Sequence, residues 1–158
     1  VKEFAMKSST IPLSNDQLMK AAPSIFATAP WGEVSDRYAF IPTINVVDAI
    51  REAGFFPVLA QQNLCRIDGK QNFAKHMIRF QRQQDMVDRQ KTRPGHFFYA
   101  KNGEPVPEVL EIVLTNSHDR TSGYQLDAGL FRLLCSNGLM VKSSNFGSIN
   151  VRHSGNVK

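Results

Sequence analysis

Apolar and polar positions change period several times along this chain, and each change marks an element. Over Thr43 to Ala53, Val46, Val47, Ile50 and Ala53 fall at i, i+1, i+4 and i+7, one apolar face of a helix. Thr43 suits its cap and Gly54 its stop. A shorter helix is predicted over Asp16 to Ala22, with Ser14 or Asn15 as cap, Asp16 in the first turn and Pro23 ending it. From Phe55 the period drops to two. Phe56, Val58 and Ala60 alternate with Pro57, Leu59 and Gln61 in a strand running to Ile67, and Asp68-Gly69 is a hairpin signal.

Phe73 to Gln81 alternates again, with Ala74, His76, Ile78 and Phe80 opposing Phe73, Lys75, Met77 and Arg79. In Val109 to Thr115, Leu110, Ile112 and Leu114 share one face, and a turn-like stretch from Asn116 to Gly123 follows. Tyr38 to Ile41 reads as a brief extended segment, and Gln81 to Pro94 as a polar connection or helix. Tyr124 to Val141 admits two readings: Leu126, Leu130, Leu133 and Leu134 have helical spacing, whereas Gly129 to Ser136 also reads as a strand turning at Asn137-Gly138. The strand is favoured, because the preceding segments form a meander that needs partners. The expected fold is α+β: an antiparallel β meander of Phe55 to Ile67, Phe73 to Gln81, Val109 to Thr115 and Gly129 to Val141, with the Thr43 to Ala53 helix packed on one face.

Length and composition set limits on this picture. With 158 residues, 42% of them hydrophobic, the chain makes one domain, residues 1-158, with a core of its own. No run approaches the roughly 18 to 20 apolar residues of a membrane span, and Val1 to Thr10 lacks a secretory core. A cytoplasmic protein is expected. Val1 is not an initiator Met and the chain stops on the polar stretch His153 to Lys158, which suggests that both ends are cleavage boundaries and the parent protein is longer. Cys65 and Cys135 sit in apolar runs with no C-x-x-C spacing, so reduced core thiols are expected.

Charge is uneven. Between Arg66 and Lys101 lie nine basic residues and three acidic ones, a net +6, while the whole chain carries +5. Arg79, Arg82, Arg89, Lys91 and Arg93, interleaved with Phe80 and followed by Phe97, Phe98 and Tyr99, offer the phosphate contacts and stacking faces that single-stranded nucleic acid uses. A solvated hairpin with its aromatics in the core is the plainer alternative. Arg132, between Phe131 and Leu133, needs either an ion-pair partner or a ligand.

His76, His118, Asp119 and His153 are candidate metal ligands with Cys65 or Cys135, but their spacing fits no motif, and structural hydrogen bonding is the expectation. A turn accounts for Asn137. Glycine-rich phosphate loops are absent from the sequence. No cofactor, metal or catalytic residue is therefore assigned, and an enzyme is the least favoured class.

Several segments together resemble a known family. Ile25-Phe26-Ala27, Tyr38-Ala39-Phe40-Ile41-Pro42-Thr43, Gly54-Phe55-Phe56-Pro57-Val58, His118-Asp119, Gly129-Leu130-Phe131-Arg132-Leu133-Leu134-Cys135-Ser136-Asn137-Gly138-Leu139 and Val151-Arg152-His153 resemble domain-of-unknown-function family 932 (DUF932). The resemblance implies location on prophages, plasmids and related elements. It also implies a parent with a further C-terminal part. With the basic segment, it points to a nucleic-acid-binding protein, single-stranded DNA favoured, serving maintenance, replication or recombination. The alternative is an interaction protein that inhibits a host defence complex by docking the same basic surface on an acidic protein.

Overall fold

The computed structural model describes residues 11–88, 97–100, 102–133 and 140–153. Two helices and a 3-10 turn come first. Helix α1 spans Asn15–Ala21 behind a capping box, in which Ser14 Oγ accepts from the Gln17 amide and Gln17 Oε1 accepts from the Ser14 amide. Pro23 ends it by opening a 3-10 turn, Pro23–Phe26, that buries Ser24 and Ile25. Helix α2, Thr43–Glu52, buries Val47 and Ile50 as its periodicity requires. Its N-cap residue is Pro42, which offers no capping side chain, and the Thr43 hydroxyl is engaged elsewhere. Gly54, at φ 90°, supplies the left-handed exit. Among the described residues, no helix is long and apolar enough to cross a membrane.

The strands are β1 (Phe55–Gln62), β2 (His76–Arg82), β3 (Val87–Asp88), β4 (Phe98–Ala100), β5 (Pro105–Val106), β6 (Glu108–Asn116), β7 (Tyr124–Leu133) and β8 (Met140–Val151). Five of them form an antiparallel sheet in the order β1-β2-β6-β7-β8. This is a meander whose β2 to β6 connection makes an excursion into a small sheet, β3-β4-β5. Between the two readings of Tyr124 to Val141, the strand prevails, since both edges of β7 are paired over its length.

Register decides what lies under the helices. Ala60, Ile78 and Leu114 are cross-strand neighbours on one face, and with Phe80 they meet Leu18, Ile25, Val47 and Ile50 in the main core. Full burial of side chains such as Phe80 and Leu114 stabilises by about 1.5–3 kcal/mol each. A second cluster, Phe98 and Val109 with Val106, fastens the small sheet to the large one.

Three expectations shift. Asp68-Gly69 does not make a tight hairpin: β1 ends at Gln62, β2 begins at His76, and the connection contains the 3-10 turn Lys70–Phe73. Its backbone is held instead by bonds from Asn63 N–H to the Lys75 carbonyl and from His118 N–H to the Phe73 carbonyl. Tyr38 to Ile41 joins no sheet. Cys65 is half-buried in the β1 to β2 connection beside Leu64, which is 78% exposed, so it is not a core thiol. Cys135, Asn137 and Lys101 lie outside the described residues.

Candidate functional site

The predicted basic residues occupy different environments. Arg79 projects from β2 on the face opposite the main core. Its Nη1 lies 2.8 Å from Oε2 of the buried Glu111, and its guanidinium stands 5.0 Å from the Phe131 ring centroid. Burial pushes this guanidinium down to about 10. Gln81 Nε2 donates to the other Glu111 oxygen at 2.8 Å. Arg82, at the end of β2, is exposed and pairs with Asp85 one turn on. Arg132 on β7 is 56% exposed and meets its cross-strand neighbour Glu108 at 2.8 Å. That hydrogen bond, helped by Ser143, holds the Glu108 carboxyl below its usual range. Arg89, Lys91 and Arg93 lie outside the described residues, in the segment joining β3 to β4.

Arg82 and Glu108 line one open groove of about 520 Å³ between the small sheet and the end of the large one. Its walls are largely apolar and include Val106, Leu110 and Leu130, the last two a cross-strand pair. Gln84 and Asn102 add two side-chain amides.

A second constellation sits at the opposite end of the strands. His76 opens β2 in phase with Ile78 and Phe80, and Asn116 closes β6 in phase with Ile112 and Leu114, so both point under the helices. Thr43 Oγ1 lies 2.8 Å from His76 Nε2, 3.2 Å from His118 Nε2 and 3.1 Å from Asn116 Nδ2. The tautomers follow from fixed partners. His76 Nδ1 faces the Ala74 carbonyl at 3.0 Å and therefore carries the proton, also reaching Ser24 Oγ at 2.8 Å. Ser24 donates onward to Gln62 Oε1, whose amide nitrogen is anchored on the Gln71 carbonyl. His76 Nε2 then accepts from Thr43, which in turn accepts from Asn116 and from His118 Nε2.

His153 completes the set. Its Nδ1 is 2.9 Å from the Ala39 carbonyl and its Nε2 2.8 Å from Asn116 Oδ1. The Asn116 amide cannot be turned over, because Nδ2 donates to the Ile41 carbonyl and Oδ1 accepts the Ser117 N–H. His153 thus faces two acceptors: a neutral ring donates to one, an imidazolium to both. Tyr38 stacks on this ring at 5.2 Å, and Phe40 leans on His118 at 4.8 Å.

Burial pushes His76 down to about 4 and His118 to about 3, the latter helped by its two histidine neighbours. Both rings are neutral at physiological pH. Among the described residues, His118 Nδ1 and the Tyr38 hydroxyl are buried without a hydrogen-bond partner, and no group of three His, Cys, Asp or Glu side chains is arranged to hold a metal ion. Apart from those two atoms, the cluster's donors and acceptors are engaged with one another, so it acts chemically as an internal clamp.

The histidines are visible in the sequence, but Thr43 reads there as a cap and Asn116 as the start of a turn. The signal for Asn116 is the period of two, which carries Leu110, Ile112 and Leu114 forward onto it. The segments Tyr38 to Thr43, His118-Asp119 and Val151 to His153, drawn from three parts of the chain, meet in this clamp.

Comparison with known proteins places these features in context. The sequence profile of the family described as "Domain of unknown function (DUF932)" matches residues 30–158. Two Escherichia coli K12 proteins are similar: UPF0380 protein YafZ, 37% identical, and UPF0380 protein YfjQ, 36% identical, each over 146 residues. Both alignments cover 92% of this chain but 46% of the relative, so the chain spans about half the length of these relatives. No solved structure matches significantly.

Proposed function

This chain belongs to the DUF932 family, and from that premise we propose that it is a nucleic-acid-binding protein of a phage, prophage or plasmid, engaging single-stranded DNA in replication, recombination or maintenance. The observation that carries this reading is where the charge is tethered. The +6 segment passes through β3 and β4 of the small sheet, Arg89, Lys91 and Arg93 fall between those two strands in the sequence, and Arg82 lines the groove. Arg66 and Arg82 are exposed arginines of that segment, and Arg132, on β7 outside it, is exposed as well. Exposed ion pairs are worth only about 0–1 kcal/mol in general, so a phosphate competes readily with Asp85 for the Arg82 guanidinium. Arg79 supports the sheet beneath through Glu111. The length of the relatives supports taking the chain as one domain of a longer protein.

The test is a salt titration. Replacing Arg82, Arg89, Lys91 and Arg93 together by Ser is expected to weaken binding on every sequence. It should also reduce the slope of log affinity against log salt by roughly 0.7 per lost phosphate contact, up to about 3 in all. Failure of the wild-type protein to bind any DNA or RNA at low salt refutes the reading.

One observation favours a second reading, an interaction protein acting on a host complex. The groove rim carries both signs, Arg82 with Asp85 and Glu108 with Arg132, a pattern suited to a protein surface of mixed charge. Co-purification of a stoichiometric protein partner without nucleic acid supports it.

A further inference from the structure

The groove between the two sheets has a chemistry of its own, beyond the charge around it. Its lining is mostly apolar, with Val106, Leu110 and Leu130 among its walls, while Gln84 and Asn102 bring carboxamides and Arg82, Asp85 and Glu108 bring charge. Arg82 stands on its lining, and Arg132 stands beside it through Glu108. Apolar walls, side-chain amides and a guanidinium are the three needs of one unstacked nucleotide: faces to cover, an edge to hydrogen-bond and a phosphate to neutralise. A volume of about 520 Å³ lies in the range of small-molecule pockets, roughly 300–1,000 Å³, and has room for one nucleotide.

Resting on the nucleic-acid reading above, we propose that this groove is a nucleotide subsite that takes one splayed base of a single strand against Val106, Leu110 and Leu130, with Arg82 and Arg132 on the adjoining phosphates. The base gives up stacking on its neighbours and regains contact with the aliphatic walls, as flipped bases do against apolar side chains. Gln84 and Asn102 meet its polar edge. Because that edge is read by side-chain amides, able to donate or accept, discrimination among the four bases is weak. Discrimination between a strand with bases and one without is strong. Duplex binds only through its phosphates.

The experiment uses two fluorescent oligomers of equal length and charge, one of thymidylate and one built wholly of abasic residues, titrated against the whole protein by anisotropy. Thymidylate is expected to bind roughly tenfold or more tightly than its abasic counterpart. In Leu130→Ala, and separately in Asn102→Ala, the affinities should converge while abasic binding stays at its wild-type value. Asn102 is exposed, so its variant serves even if Leu130→Ala fails to fold. Equal affinities of wild type for the two oligomers overturn the subsite and leave charge-driven binding standing. A preference for bases that survives intact in a folded Leu130→Ala or in Asn102→Ala also overturns it, placing base contact elsewhere. Binding of neither oligomer overturns the subsite, and if duplex DNA and RNA also fail to bind at low salt the nucleic-acid reading falls with it.

Discussion

Replacing Thr43 by Val removes a single hydroxyl at constant side-chain shape. The hydroxyl donates to His76 Nε2 at 2.8 Å and accepts from Asn116 Nδ2 at 3.1 Å and His118 Nε2 at 3.2 Å. Helix capping is unaffected, because the N-cap is Pro42 and no side chain caps α2. Thr43, His76, Asn116 and His118 are all buried, so water does not take over. In the Thr43→Val variant, His76 keeps its Nδ1 bonds and Asn116 keeps Ile41, but His118 loses the remaining partner of its ring. Leaving a buried polar group unsatisfied costs about 1–3 kcal/mol. Two histidine nitrogens and one amide proton are orphaned, giving a predicted loss of about 3–9 kcal/mol. Against a total stability of about 5–15 kcal/mol for an ordinary domain, that is a large share. Thr43→Ser keeps the hydroxyl and should lose only about 1 kcal/mol, for one methyl. Equilibrium urea denaturation checks both: the midpoint should fall steeply for Thr43→Val, with the m-value unchanged. A Thr43→Val loss below about 1 kcal/mol, the least that even one orphaned group costs, refutes the clamp.

Acid should loosen the same region. His76 and His118 have folded values of about 4 and about 3 against 6.5 in the unfolded chain, so unfolding takes up protons and the stability they contribute is complete above pH 6.5 and lost as pH falls towards 4 and 3. By pH 5 the loss is about 2 kcal/mol per ring, His76→Gln should flatten the slope by about one proton, and stability constant between pH 7 and pH 5 would contradict both shifts. Gly129 sits where a Cβ would lie 2.1 Å from the Ser144 carbonyl oxygen, beside a bulge in the β7–β8 pairing. Gly129→Ala should therefore cost at least about 2 kcal/mol by urea denaturation, and a neutral result would show that the two strands do not approach so closely.

How far the sequence reached depended on the range of the interactions. The α2 helix, the meander and the inward faces of β2 and β6 are written in periods that neighbouring residues share, and they were legible within a few residues. The Asp68-Gly69 turn misled because a turn signal is local, whereas the connection around it is fixed by His118, far along the chain. Arg79 reads as one of a basic series, yet its cross-sheet neighbour is Glu111, and only register reveals that they touch. The groove was invisible for the same reason: Leu110 and Leu130 look like ordinary strand residues until the small sheet, with Val106, is set beside them. For the clamp the histidines could be named, but not their partners, since Thr43 and Asn116 each had a sufficient local explanation.

His153 closes contacts with Ala39, 114 positions earlier, and with Asn116. Its place in the chain therefore sets a clock on biosynthesis. A ribosome that has released the residues up to β7 has supplied the core, but Ala39 and Asn116 still wait for the ring that joins them. Long closures of this kind slow folding, because chain entropy is lost before the contact is gained. Chains that end before β8 is finished would hold the hydrophobic centre but leave the polar seam between Ala39 and Asn116 open.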